Sequence, residues 1–199
     1  MDTNKLLQRV RALLISPVTE WLVIADESAT VSGLYREYIL VVAAIPALCA
    51  FVKGSLIGYA WHGFKVYRQG MGEGIAAAVV GYGMAIAGVY VLAIIIDALA
   101  PNFGGQQNRV QALKAASYSY TASWVAGFGQ LLPGLTWVVA IVGWGYSAYL
   151  LYLGLPATMR VMPGRAAGYT VVTVIVALVL GWLMSLIVGG IAGYSVYES

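Results

Sequence analysis

Histidine and cysteine are almost absent from this chain, which holds one of each, His62 and Cys49. A lone cysteine excludes an intramolecular disulfide, and with a lone histidine it leaves no cluster of the kind a structural zinc needs. No metal and no other cofactor is expected; His62 reads as an interfacial residue and Cys49 as a small apolar packing residue. Charge is scarce as well, at 10% of residues against 61% hydrophobic and a mean hydropathy of +0.82. That balance excludes an ordinary soluble domain and makes a bilayer the solvent. The net charge is +3, but the eleven basic residues stand singly rather than in a stripe, so nucleic acid is not an expected partner. Catalytic signatures are missing too. The chain has no H-E-x-x-H, no G-x-S-x-G and no P-loop, and Gly81-Tyr82-Gly83 lacks the third glycine of a dinucleotide site. Only Asp97 sits near a span, without the paired acid or the nucleophile and base that intramembrane hydrolysis needs. An enzyme is not expected.

What is present is apolar sequence in five long runs: Tyr38–Ala60, Gly74–Ala100, Ala112–Leu132, Leu135–Gly154 and Gly168–Gly190. The first is 23 residues, enough at about 1.5 Å per residue to cross a hydrocarbon core of roughly 30 Å. The pattern predicts an all-α polytopic bundle of five transmembrane helices over 38–193, an amphipathic cytoplasmic region over 1–37 and a short external tail over 194–199. Pro46 should kink the first span, and Lys53 within it should snorkel to an interface, its other reading being a buried counterion. Tyr59, Trp61, Phe64 and Tyr67 form an interfacial belt beside Lys65 and Arg68. The third run is the most polar. Ala115, Ser119, Ser123 and Gly127 repeat every fourth residue there, as Ala77, Gly81 and Ala85 do in the second, and such strips let helices approach closely. The third helix therefore belongs in the bundle interior, and the apolar fifth faces lipid. Leu155–Ala167, with Pro156 and Pro163, reads as a loop.

In Thr3–Ile15 the residues Leu6, Leu7, Val10, Leu13 and Leu14 fall on one helical face, with Lys5, Gln8 and Arg9 on the other. This amphipathic helix should lie on the membrane surface or against other helices, and it is followed by a second short helix opened by Ser16-Pro17. Counting basic residues sets the orientation. With the N-terminus cytoplasmic, Lys5, Arg9, Arg11, Arg36, Arg109, Lys114, Arg160 and Arg165 lie inside and only Lys65 and Arg68 outside. The C-terminus then lies outside.

The second span ends in Asp97-Ala98-Leu99-Ala100-Pro101-Asn102-Phe103-Gly104-Gly105, where the proline and the glycine pair should stop the helix. Asp97 is the leading site candidate. A carboxylate at a helix C-terminus opposes the dipole, so Arg109, Lys114 or the N–H groups opening the third helix should compensate it. It either pins this corner or contacts a ligand, ion or partner. Tyr118, Thr121 and Tyr146 could wall a polar cavity, or their hydroxyls could bond backbone carbonyls between close-packed helices.

These residues resemble the Yip (YIPF) family of five-span membrane proteins, particularly its prokaryotic branch, over nearly the whole chain. Asp97-Ala98-Leu99-Ala100-Pro101 keeps the acid and proline of the family's second-span element, and Ser117-Tyr118-Ser119-Tyr120-Thr121-Ala122 keeps the tyrosine of its third-span element. Prokaryotic-type features are Ser16-Pro17 with Trp21, Ala44-Ile45-Pro46-Ala47-Leu48, Phe103-Gly104-Gly105, and Tyr149-Leu150-Leu151-Tyr152-Leu153-Gly154-Leu155-Pro156. Eukaryotic relatives are linked to vesicle trafficking, Rab GTPase binding and membrane shaping through a longer N-terminal region than this one. The resemblance thus implies fold and topology first. The function expected is a non-enzymatic integral protein of a bacterial cytoplasmic membrane, organising membrane or recruiting lipids, further copies of itself or other membrane proteins. Its mechanism would be insertion of the Leu6/Leu7/Val10/Leu13/Leu14 face at the interface, with self-association through the small-residue strips. The alternative is a small channel or transporter whose cavity is lined by the third span and Asp97.

Overall fold

Long apolar runs with few breakers should be helical, and helices dominate the computed structural model, which describes residues 3–61, 65–132 and 134–191. They are α1 (Thr3–Ile15), α2 (Pro17–Asp26), a compound run α3 (Val31–Ile57), and α4 (Met71–Leu99) closed by a 3-10 turn (Ala100–Phe103). Then come α5 (Arg109–Ser119), α6 (Thr121–Ala126) with a 3-10 turn (Gly127–Leu131), α7 (Thr136–Met159) and α8 (Pro163–Ile191). Between α3 and α4 a small antiparallel ribbon pairs β1 (Tyr59–Trp61) with β2 (Lys65–Tyr67), Tyr59 opposite Tyr67. The sequence predicted an aromatic belt and no strands here. His62 and Phe64 of that stretch, and the tail 194–199, lie outside the described residues.

Among the described residues four helices are long and apolar enough to cross a membrane: Val31–Ile57, Met71–Phe103, Thr136–Met159 and Gly164–Gly190. The expected third crossing is instead a broken run. At its break the Thr121 hydroxyl donates to the Tyr118 carbonyl, 2.6 Å away, and such back-bonding diverts a carbonyl from the helical ladder and bends the helix. Its interior position is as expected, since every residue from Ala112 to Ser119 is buried. The run joins the two ends of α7. Before it starts, the Gln106 N–H donates to the Met159 carbonyl at 2.9 Å; near its end Gly129 lies so close to Val139 that a Cβ would come within 2.5 Å of it. Val139 and Met159 are about 30 Å apart along α7, so the chain between covers that distance.

Proline marks fewer boundaries than the sequence suggested. The segment Leu155–Ala167 is not a loop: α7 runs through Pro156 to Met159, and Pro163 opens α8. Pro156 gives up one backbone donor, but Leu155, Thr158 and Met159 around it are buried, and that packing keeps the helix going. The helix ends at Arg160, whose φ of 54° is left-handed. In α3 the α-helix is interrupted at Ala43, whose N–H still bonds Ile39 O at 3.0 Å; Ala43 follows Val42, the residue whose carbonyl the ring of Pro46 would strike, and π-helical turns occupy Tyr35–Ile39 and Val52–Ile57. The second span stops as read. Beyond Leu99 the chain tightens into the 3-10 turn, Gly104 takes φ 73°, and the Gly105 N–H bonds Ala100 O at 2.8 Å.

The small-residue strip of the third run packs inside the bundle, where Ala115 and Ser119 are buried, whereas Ala77, Gly81 and Ala85 of the second are half-buried. A Cβ on Gly88 would stand 2.6 Å from Met184 of α8, and one on Gly127 would meet Pro46 of α3 at 2.8 Å. By contrast α8 is peripheral as expected, with 6% of its most apolar window buried.

Candidate functional site: the polar junction at the N-terminal hairpin

Ser16 and Pro17 reverse the chain, so α1 and α2 form a helical hairpin. Its inner face is apolar: Leu13, Trp21 and Ile24 are fully buried, and Leu6, Val10 and Leu14 pack on the same core. Of the Leu6/Leu7/Val10/Leu13/Leu14 face, Leu13 is buried and Leu6, Val10 and Leu14 are half-buried on the core, the second of the two placings expected for α1. Bundle packing absorbs four of the five, and only Leu7 is exposed, together with Ile15, Val18 and Leu22. Two contacts fix the hairpin's depth. Trp21 lies against Gly154 of α7, where a Cβ would come within 2.6 Å of the indole. At the tip, the Tyr146 hydroxyl donates to Leu14 O at 2.9 Å. Tyr146 is about 15 Å along α7 from Thr136 and about 20 Å from Met159, so the tip reaches the middle of the bundle.

Polar side chains are gathered behind this hairpin. The Arg9 guanidinium is held by the carboxylates of Glu20 and Glu27 and lies 5.7 Å over the Tyr118 ring. Arg9 is thus an internal ion-pair partner, whereas Lys5, on the same polar face of α1, stays exposed. Tyr118 meets the Tyr38 ring edge to face at 4.6 Å; the Tyr38 hydroxyl bonds Thr121 Oγ1 at 2.6 Å, and that hydroxyl in turn donates to Tyr118 O. Lys114, 1% exposed, donates through Nζ to the carbonyls of Ile24 at 2.7 Å and Glu27 at 2.5 Å, and Gln111 Nε2 donates to Ala25 O at 2.9 Å. Together they satisfy the carbonyls at the C-terminus of α2, a position that favours a cation.

Lys114 is therefore not the partner of Asp97. That carboxylate, 15% exposed, meets Arg109 Nε at 3.9 Å through Oδ2, while its Oδ1 is buried without a hydrogen bond. Nor do the opening N–H groups of α5 reach it, because Asn108 Oδ1 accepts those of Val110 and Gln111, each at 3.1 Å. Pro101, Gly104 and Gly105 shape the turn beside it. Lys53 is far off in the closing π-helical turn of α3. The structure thus brings together Arg9, Lys114, Tyr118, Thr121 and Tyr146 around the hairpin and leaves Asp97, Arg109 and Lys53 outside that group. Glu20, Glu27, Tyr38 and Gln111 were missed. The signal for the acids was available: a hairpin at Ser16-Pro17 must lay α2 against the basic face of α1.

A cleft of about 910 Å³ opens between the hairpin and the start of α3, with Lys5, Arg9, Glu20 and Glu37 on its walls and Tyr38 and Tyr118 in its depth. Asp97, Thr121 and Tyr146 do not line it, so of the residues expected to wall a polar cavity this cleft takes in Tyr118 alone. Elsewhere in the run Ser117 donates to Leu113 O at 2.7 Å and Ser123 bonds Ser147 at 2.8 Å, as the drier reading has it, while the buried Ser119 Oγ has no partner.

A bundle of apolar helices with a half-length hairpin packed into one end defines the class, a polytopic helical membrane protein. The chain belongs to the Yip1-domain family, whose model matches residues 11–186. Among relatives, the inner membrane protein YohC of Escherichia coli K12 is 32% identical over 186 residues, covering 92% of this chain and 95% of the relative, and YohC of E. coli O6:H1 matches to the same extent. No solved structure matches the chain.

Proposed function

We propose that this protein is a non-enzymatic organiser of a bacterial inner membrane, with lipid as its first partner, acting through a hairpin inserted into the cytoplasmic leaflet alone. The observation that carries this reading is the placing of α1 and α2: Arg9 turned inward onto Glu20 and Glu27, the end carbonyls of α2 taken by Lys114, Leu7, Ile15, Val18 and Leu22 turned outward, and the tip level with Tyr146. An outward apolar surface at that depth suits acyl chains, and ion pairs behind it keep charge out of them. Material added to one leaflet makes the molecule wedge-shaped, which favours curved membrane. The name of the E. coli relatives supports the inner membrane as the location.

The broken run Arg109–Leu131 would be the fifth crossing. Support comes from the joining of Gln106 to Met159 at one end and Gly129 to Val139 at the other, which brings the loops carrying Arg109 and Arg160 to the same side, as the count of basic residues requires. The N-terminus is then inside and the C-terminus outside.

The test is sorting of the reconstituted, labelled protein between flat bilayer and thin membrane tethers of the same lipid. Enrichment on tethers that Leu7→Asp with Leu22→Asp removes, without loss of fold, is the expected result. Equal density on both surfaces for the unaltered protein overturns it. The cleft favours a second reading, a small channel or carrier with Tyr118 in its path, which predicts solute flux into proteoliposomes that Tyr118→Phe alters.

A further inference from the structure

A second cavity, of about 270 Å³, lies between α4, the α5–α6 break, α7 and α8, walled by Leu92, Trp124, Trp144, Leu151 and Leu178. None of the described residues lining it is charged. Ser119 lines it too; that side chain is 5% exposed and its Oγ has no hydrogen-bond partner. Of the neighbouring hydroxyls, Ser147 Oγ accepts the Ser123 N–H at 3.0 Å and bonds the Ser123 hydroxyl at 2.8 Å, while Tyr120, which also lines the cavity, stacks on Trp124. A buried hydroxyl left unpaired in apolar surroundings is costly, so this cavity is built for something that offers Ser119 an acceptor. Trp144 and Leu178 are exposed at its edge, and a Cβ on Gly181 would be 3.9 Å from the Trp144 ring, so the opening is toward the lipid between α7 and α8.

Four occupants can be compared. Water would satisfy Ser119 but wets these walls poorly. A plain acyl chain would fill the volume and leave Ser119 unpaired. An ester carbonyl is tethered near the headgroups, whereas Ser147 stands about 17 Å from either end of α7. An uncharged flat ring with a carbonyl oxygen meets every condition: it dissolves at mid-depth, lies against indole faces and accepts one hydrogen bond. We propose that this cavity binds a lipid-soluble quinone, the ring between Trp124 and Trp144 and one carbonyl oxygen on Ser119. The assignment concerns binding and is independent of the hairpin's role.

Purified protein in lipid nanodiscs is titrated with ubiquinone-1 while tryptophan emission is followed. Saturable quenching is expected, with Trp124→Phe and Trp144→Phe each removing part of its amplitude. Ser119→Ala should weaken binding by about fivefold, the order of one neutral hydrogen bond. Gly181→Leu, which puts a side chain into the opening, should abolish saturation while circular dichroism is unchanged. Quenching that rises linearly and equally in the unaltered protein and Gly181→Leu overturns the site. Displacement of the quinone by equimolar monoolein or decylbenzene overturns the assignment of a ring bearing a carbonyl.

Discussion

The ammonium of Lys114 lies 2.7 Å from the carbonyl oxygen of Ile24 and so ties the buried third run to the end of the N-terminal hairpin. Lys114→Met keeps the stem's bulk and removes the cap, leaving the Ile24 and Glu27 carbonyls short of a donor. A loss of about 2–3 kcal/mol is expected, the range for hydrogen bonds to a charged group. Denaturant titration in detergent measures it, and limited proteolysis should show cleavage after Arg9 or Arg11 appearing before cleavage within the spans. Unchanged stability would mean that the hairpin is held by apolar packing alone.

The Arg9 ion pairs should be unequal. Glu20 is 17% exposed and Glu27 45%. Glu20→Gln leaves a mostly buried guanidinium short of a counter-charge and should cost roughly 2–3 kcal/mol, while Glu27→Gln, screened by solvent, should cost under about 1 kcal/mol. Replacing Arg9 and Glu20 together by Met and Leu should recover most of the larger loss, because both buried charges go at once. With the Arg9→Met and Glu20→Leu singles and the unaltered protein, the double variant closes a double-mutant cycle read by thermal unfolding.

Gly154 is matched to Trp21. Any side chain at this position overlaps the indole, since a Cβ alone would stand 2.6 Å away. Gly154→Val should therefore displace α2 at about 1–3 kcal/mol, and Trp21→Ala should cost more, about 3–5 kcal/mol, by opening a cavity. Gly154→Val combined with Trp21→Leu should be milder than the sum of the two singles. Additive losses would show that the two residues do not share one space.

Much of this packing was legible in the sequence, though not as a site. Trp21 and Gly154, Pro46 and Gly127, Phe103 and the Gly104-Gly105 pair all sit in stretches singled out by composition or family resemblance, and they are where elements touch. Helix-period patterning found α1 to the residue and placed the third run inside, because an apolar solvent leaves small and hydroxyl-bearing residues nowhere better to go. What the sequence misplaced was partnership. Lys114 stands closer in the chain to Arg109 and the Asp97 corner than to Ile24, and only the reversal at Ser16-Pro17 brings that carbonyl within reach. The amphipathic face of α1 left two placings open for a related reason: periodicity reports that a face is apolar and cannot say whether protein or lipid covers it. The length of α7 was missed because Pro156 breaks a helix by local chemistry and is tolerated by burial.

Topology can be tested with single cysteines in a Cys49→Ala background. Gln107→Cys and Arg160→Cys should react with a membrane-impermeant maleimide from the same side, and Gly134→Cys from the opposite one. Labelling of Gln107→Cys and Gly134→Cys from one side would remove the crossing assigned to Arg109–Leu131 and, with it, the cytoplasmic placing of the hairpin tip against Tyr146.

Asp97 separates a pinned corner from a working acid. Its contact with Arg109 is 3.9 Å long and Arg109 is 77% exposed, so the pair is worth well under about 1 kcal/mol. The carboxylate also opposes the dipole of α4, at roughly 0.3–1 kcal/mol, and its buried Oδ1 has no donor. Two small penalties face one small gain. Asp97→Asn, which removes the charge and adds a donor near the end carbonyls, should leave stability within about 0.5 kcal/mol or raise it slightly. Thermal unfolding of both proteins at neutral pH decides the point. A loss above about 2 kcal/mol would show a donor to Asp97 that the Arg109 contact does not account for, whereas unchanged stability with altered solute flux in proteoliposomes would move Asp97 from the architecture to the function.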